Sequence, residues 1–147
     1  MLNQDYREML SLLLENKVDF LLVGAYALAV HGFPRATGDI DIFVKPDHTN
    51  AKLLFKTLEE FAAPMNNITI ADFEKPSVIF QIGIAPRRID IITAIDGLTF
   101  DEASVGKMIV DIDNLKIPVI SKLNLIKNKR STGRQKDMVD VTNLEQD

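Results

Sequence analysis

The chain has 147 residues, 46% of them hydrophobic and 26% charged, with a net charge of −4, no cysteine and two histidines. That length and balance fit one ordinary domain with a packed core and exclude a disordered chain. The missing cysteines exclude disulfides and thiolate metal sites, two histidines leave no histidine-rich zinc centre, and the acidic excess argues against a broad electrostatic grip on nucleic acid, a local basic patch aside.

The first residues, MLNQDYREML, do not run from a basic segment into an apolar core, so no signal peptide is expected. No apolar run approaches about 18 residues, so no membrane span is expected either. A cytoplasmic location is the default expectation. Residues 4–17 carry Tyr6, Met9, Leu10, Leu13 and Leu14 at helical spacing, which predicts an amphipathic helix. Residues 18–23 form a short apolar run that reads as a buried strand ending at Gly24. Alanine-rich residues 25–30 favour a helix, which Gly32 stops and Pro34 keeps from resuming. Residues 40–44 read as a strand. Pro46, Asp47 and Thr49 mark the start of a helix reaching about Ala62, with Leu53, Leu54, Leu58 and Phe61 as its apolar stripe.

Residues 63–76, with Pro64, Asn66, Asn67 and Pro76, read as irregular. Residues 78–82 and 88–93 read as two strands of a hairpin through Gly83 and Pro86. A short helix is expected over residues 100–105. Residues 107–111 and 115–120 flank Asp113 and Asn114 as a second hairpin. Ser121 caps a helix to about Arg130, Gly133 breaks it, and residues 134–144 form a last helix with Met138, Val141 and Leu144 inward. The whole reads as a single α+β domain over residues 1–147, a mixed β-sheet flanked by helices, with a core of about 5–120 and a C-terminal helical tail of about 121–145. Phe33, Phe43 and Phe80 are expected in the core, His31 in a structural place near a helix end, and Tyr26 in the core or in a pocket wall.

The chemistry concentrates in VGAYALAVHGFPRATGDIDIFV, residues 23–44. Asp39 and Asp41 are one residue apart in an apolar run. Alternation on a strand puts such a pair on one face, roughly 6–7 Å apart along the chain. Two carboxylates there repel, and a hard divalent cation is the simplest positive partner. Asp90 stands in RRIDIIT, also within an apolar strand. If that strand neighbours the first, three carboxylates converge. Asp39 and Asp41 then bridge two metals roughly 3.5–4 Å apart, and Asp90 holds the second and takes a proton from an attacking hydroxyl. The plainer alternative pairs these carboxylates with Arg35, Arg87 or Arg88. Gly24, between a strand and a helix start, offers free backbone N–H groups to a phosphate.

Strand, glycine, helix, D-x-D strand and a later aspartate together resemble the minimal nucleotidyltransferase fold of the DNA polymerase beta superfamily. The matching positions are Gly24, Asp39 and Asp41 in GDIDIFV, and Asp90 in RIDII. The likeness is closer to small bacterial nucleotidyltransferase-like proteins, where GFPRATGDIDIFV and KLNLIKNKRSTGRQKDMVDVTNLE have counterparts, and it spans most of residues 5–145. It implies Asp39, Asp41 and Asp90 as catalytic metal ligands for Mg²⁺ or Mn²⁺. It implies Gly24 and Ala25 at the nucleotide. Arg35 and Thr37 precede the D-x-D in RATGD, where the arginine can reach a triphosphate oxygen or stand as a loop residue facing water. Lys129, Arg134 and Asp137 fall in a K-x4-R-x2-D pattern at the same pocket. The plainer reading of that trio is a lock between the last two helices.

Many active members have serine or glycine where this chain has Ala25, which keeps the backbone N–H without a hydroxyl. Three functional readings stay open. One is a metal-dependent transfer of a nucleoside monophosphate from an NTP to a hydroxyl on RNA, protein or a small molecule. Another is a catalytically weak or inactive domain acting as a toxin–antitoxin partner or nucleotide-binding module. The third, a drug-modifying enzyme, fits the short tail less well.

Overall fold

The apolar runs seen in the sequence become the strands and inner helix faces of one domain. A computed structural model describes residues 2–34, 38–84 and 86–146. The strands are β1 (Phe20–Val23), β2 (Ile40–Val44), β3 (Ile79–Ile82), β4 (Ile89–Ile92), β5 (Met108–Ile112) and β6 (Leu115–Val119). They form one sheet in the order β3-β4-β2-β1-β6-β5. It is mixed: β1 runs antiparallel to β2 and parallel to β6, while β2 runs parallel to β4. The helices are α1 (Gln4–Glu15), α2 (Gly24–Val30), α3 (His48–Phe61), α4 (Phe100–Ser104), α5 (Lys122–Thr132) and α6 (Gln135–Glu145).

Local chemistry sets the helix ends. The side chains of Asn3, Asp47 and Ser121 accept from Tyr6 N, Asn50 N and Asn124 N at the starts of α1, α3 and α5, satisfying donors that the first turn leaves free. Gly133, at φ +69°, closes α5. Within residues 63–76, expected to be irregular, Ile70–Glu74 is a 3-10 helix whose start is tied by reciprocal Thr69 and Asp72 hydrogen bonds and which buries Phe73. Met138, expected inward, is 41% exposed. The buried stripe of α6 is instead Asp137, Asp140, Val141 and Leu144. It turns inward because Lys129 of α5 is buried opposite the two aspartates. Phe43 is fully buried, whereas Phe33 and Phe80 are half-buried at the margin of the core. His31 lies at the end of α2 with Nε2 2.8 Å from the Ile120 carbonyl, and Tyr26 meets Tyr6 edge-on.

Strand direction positions the site. Because β2 is antiparallel to β1 and β4 is parallel to β2, the end of β1 lies beside the beginnings of β2 and β4. β6, parallel to β1, delivers the chain to α5 at that same end. Gly24, the aspartates and the α5–α6 pair therefore share one end of the sheet. Among the described residues, no helix is long and apolar enough to cross a membrane.

Candidate active site

At the shared end, Val23 pairs with Asp41, Asp41 with Asp90, and Asp90 with Gln81 across four adjacent strands. Alternation turns Asp41 and Asp90 to one face. Their neighbours Ile40, Ile42, Ile89 and Ile91 go to the other and are fully buried. The apolar settings of the aspartates are thus the buried side of a sheet whose opposite side faces the cleft.

Gly24 holds a left-handed backbone, φ +67°. A Cβ there would lie 2.1 Å from Asp41 Oδ2. Only glycine satisfies both conditions, since other residues are strained at this φ.

The carboxylates are not alike. Asp90 receives both arms of Arg88, Nε to Oδ1 at 2.8 Å and Nη2 to Oδ2 at 3.1 Å. The same Nη2 lies 3.0 Å from Asp39 Oδ2. Asp39 Oδ1 is buried without a hydrogen-bond partner. Burial, followed by the charges of Asp90 and Asp39, pushes Asp41 up from its ordinary 3.8 to about 6, Arg88 offsetting only part of this. Behind them the Arg88 carbonyl accepts from Ile40 N at 3.0 Å and from the Tyr6 hydroxyl at 3.1 Å. That hydroxyl, raised by burial to about 12, remains a donor.

These groups floor a cleft of about 750 Å³ that Gly24, Ala25, Asp39, Asp41 and Asp90 share with Lys129, Arg134 and Asp137 of the C-terminal helices. Lys129 Nζ donates to Asp140 Oδ2 at 2.9 Å and to Asp137 Oδ1 at 3.3 Å. Asp137 Oδ2 accepts from Arg134 Nε and from the Thr132 hydroxyl, each at 2.7 Å. Burial would raise Asp137, but Thr132, Arg134 and Lys129 outweigh it and hold the group below the usual carboxylate range. The trio therefore locks α5 to α6 and also lines the cleft. Arg134 has a side chain 63% exposed.

Of the residues singled out in the sequence, Gly24, Ala25, Asp39, Asp41, Asp90, Lys129, Arg134 and Asp137 come together in this cleft. Arg35 and Thr37 lie outside the described residues. Sequence reasoning gave Arg88 only the role of a salt-bridge partner and left Lys136 and Gln81, which also line the cleft, out of the site. The signal for Arg88 was its position two before Asp90, which puts both on one face of a strand.

Among the described residues, no three His, Cys, Asp or Glu side chains stand ready to enclose an ion, and the Arg88 fork sits on Asp90 and Asp39. The donor chemistry nonetheless suits a hard divalent cation: all the acidic donors are carboxylate oxygens, and one of them is a buried orphan.

Residues 2–146 match the family model described as "Nucleotidyl transferase of unknown function (DUF2204)". No curated protein matches the chain. Among solved structures, the chain is similar to TM1012, a candidate nucleotidyltransferase from Thermotoga maritima. The TM-score is 0.66 and the identity 19%, over 97% of this chain and 94% of that one. It is also similar to the lincosamide antibiotic adenylyltransferase LnuA, solved with lincomycin. There the TM-score is 0.60 and the identity 20%, over 99% of this chain and 97% of that one. Both have the same α+β fold.

Proposed function

The chain belongs to this nucleotidyl transferase family, and from that premise we propose that it transfers a nucleoside monophosphate from an NTP to a hydroxyl in a reaction dependent on Mg²⁺ or Mn²⁺. The observation that carries the reading is the register of Asp41 with Asp90 on adjacent parallel strands, with Gly24 against Asp41 and Asp39 in the same cleft.

Asp39 and Asp41 would hold the cation, with Asp90 as the further ligand and the proton acceptor. When bound, the cation would supply charge neutralisation on the phosphates. Gly24 and Ala25 would offer first-turn N–H groups to the phosphates, and Arg134 and Lys136, which line the same cleft, would give the triphosphate compensating charge. The acceptor oxygen forms a bond to the α-phosphorus as the bond to the bridging oxygen of pyrophosphate breaks. The leaving group keeps that electron pair, and the hydroxyl proton passes to an Asp90 carboxylate oxygen.

The test incubates the protein with each α-phosphate-labelled NTP, Mg²⁺ and separated RNA, protein and small-molecule fractions of a cell extract. Lincomycin serves as one defined small acceptor. The expected result is label on one fraction with release of pyrophosphate, abolished in Asp41→Asn and Asp90→Asn. Binding of Mg²⁺ and NTP without transfer to any acceptor overturns catalysis and leaves the toxin–antitoxin or nucleotide-binding partner in its place.

A further inference from the structure

Arg88 presents its guanidinium at the centre of the acidic row, 30% exposed. The main chain behind it is pinned by Ile40 N and the Tyr6 hydroxyl, so its freedom lies in the side chain. The guanidinium spends two donors on Asp90 and one of these again on Asp39. A bidentate guanidinium–carboxylate pair is among the stronger polar contacts in proteins. Three carboxylates and one arginine leave the row with net negative charge, and Asp39 is only half satisfied. The arginine thus neutralises the acceptors that a divalent cation would use and leaves one of them orphaned.

We propose that Arg88 is a positioning residue that couples metal to nucleotide: it competes with the divalent cation for Asp90 and Asp39, and is drawn off them by the triphosphate. This rests on the function proposed above. An arginine displaced from a carboxylate needs another anion, and phosphate oxygens suit the same fork. The cation alone must evict Arg88 with no anion to receive it. Cation and nucleotide together exchange partners: carboxylates to metal, arginine to phosphate. The coupling is reciprocal, so metal tightens nucleotide by the same factor as nucleotide tightens metal.

A purely structural Arg88 makes the opposite prediction in sign. If it merely holds Asp39 and Asp90 in place, its loss weakens metal binding. If it competes, its loss strengthens binding. The experiment titrates Mn²⁺ into the full chain and follows the free-ion signal by electron paramagnetic resonance, with and without an α,β-methylene NTP analogue. In Arg88→Gln, Mn²⁺ alone should bind about tenfold tighter or more, and the analogue should tighten it far less than it tightens wild type. Arg88→Lys, which keeps charge without the fork, should fall between the two and guards against a folding defect in the glutamine variant. Unchanged or weaker Mn²⁺ binding in both folded variants overturns the competition. If wild type and both variants fail to bind Mn²⁺ even with the analogue, the proposed function falls and the inference with it.

Discussion

Replacing Asp41 by Asn should stabilise the protein at neutral pH while disabling its chemistry. Burial and the charges of Asp90 and Asp39 raise Asp41 from 3.8 to about 6. At about 1.36 kcal/mol per pH unit, that rise corresponds to about 3 kcal/mol. The sign follows from linkage. A carboxyl whose folded pKa lies above its unfolded value contributes stability that is full below pH 3.8 and is lost as pH rises through about 6. The carboxamide carries no charge at any of these pH values, keeps the shape of the side chain against Gly24, and can donate to Asp90 as the protonated acid does. Urea denaturation in EDTA should therefore show Asp41→Asn close to wild type at about pH 4 and more stable by about 2–3 kcal/mol at about pH 8. Adding Mg²⁺ and NTP stabilises only the protein that binds them, so a hundredfold excess over Kd, worth about 2.7 kcal/mol, should close the gap, and a thousandfold excess, worth about 4.1 kcal/mol, should reverse the order. A gap between the two proteins that does not change with pH, or a variant less stable than wild type at pH 8 without metal, would refute the reasoning.

The same carboxyl should make metal binding pH-dependent. A proton must leave Asp41 before a cation binds there, so apparent Mn²⁺ affinity by isothermal titration should fall about tenfold per pH unit below about 6 and level off above about 7. A flat profile from pH 5 to pH 8 would exclude Asp41 as a ligand. Gly24→Ala combines strain at φ +67° with a Cβ 2.1 Å from Asp41 Oδ2. It should cost about 2 kcal/mol or more in chemical denaturation and weaken Mn²⁺ binding, and a neutral result would mean that Asp41 does not rest against Gly24. Lys129→Met leaves Asp137 and Asp140 buried without the cation between them, which should cost about 3–5 kcal/mol. Urea midpoints for Lys129→Met within experimental error of wild type would show that the α5–α6 lock is unimportant.

Much of this site is written in short stretches of sequence. The apolar settings of Asp39, Asp41 and Asp90 announce strands, and alternation assigns Asp41 to the face opposite Ile40 and Ile42. Gly24 between a strand and a helix announces a tight, close-approach position. The pairing of β2 with β4 has no such local mark. It joins Asp41 to Asp90 across α3 and β3, and only the strand order and direction of the whole sheet bring them side by side. The 3-10 helix at Ile70–Glu74 carried a legible start in Thr69 and Asp72, masked by its shortness and the prolines around it. Hydrophobicity alone points Met138 inward, but it is 41% exposed. The buried Lys129 draws Asp137 and Asp140 inward, so the inner stripe of that helix is partly acidic.

Whether Asp39, Asp41 and Asp90 form one divalent-cation site can be seen in a crystal grown with Mn²⁺ and the α,β-methylene NTP analogue, read by anomalous scattering at the manganese edge. An anomalous peak within coordination distance of carboxylate oxygens of both Asp39 and Asp41 is expected, with Asp90 at the same centre and Arg88 turned to the phosphates. Nucleotide density in the cleft with no peak between Asp39 and Asp41 would contradict it.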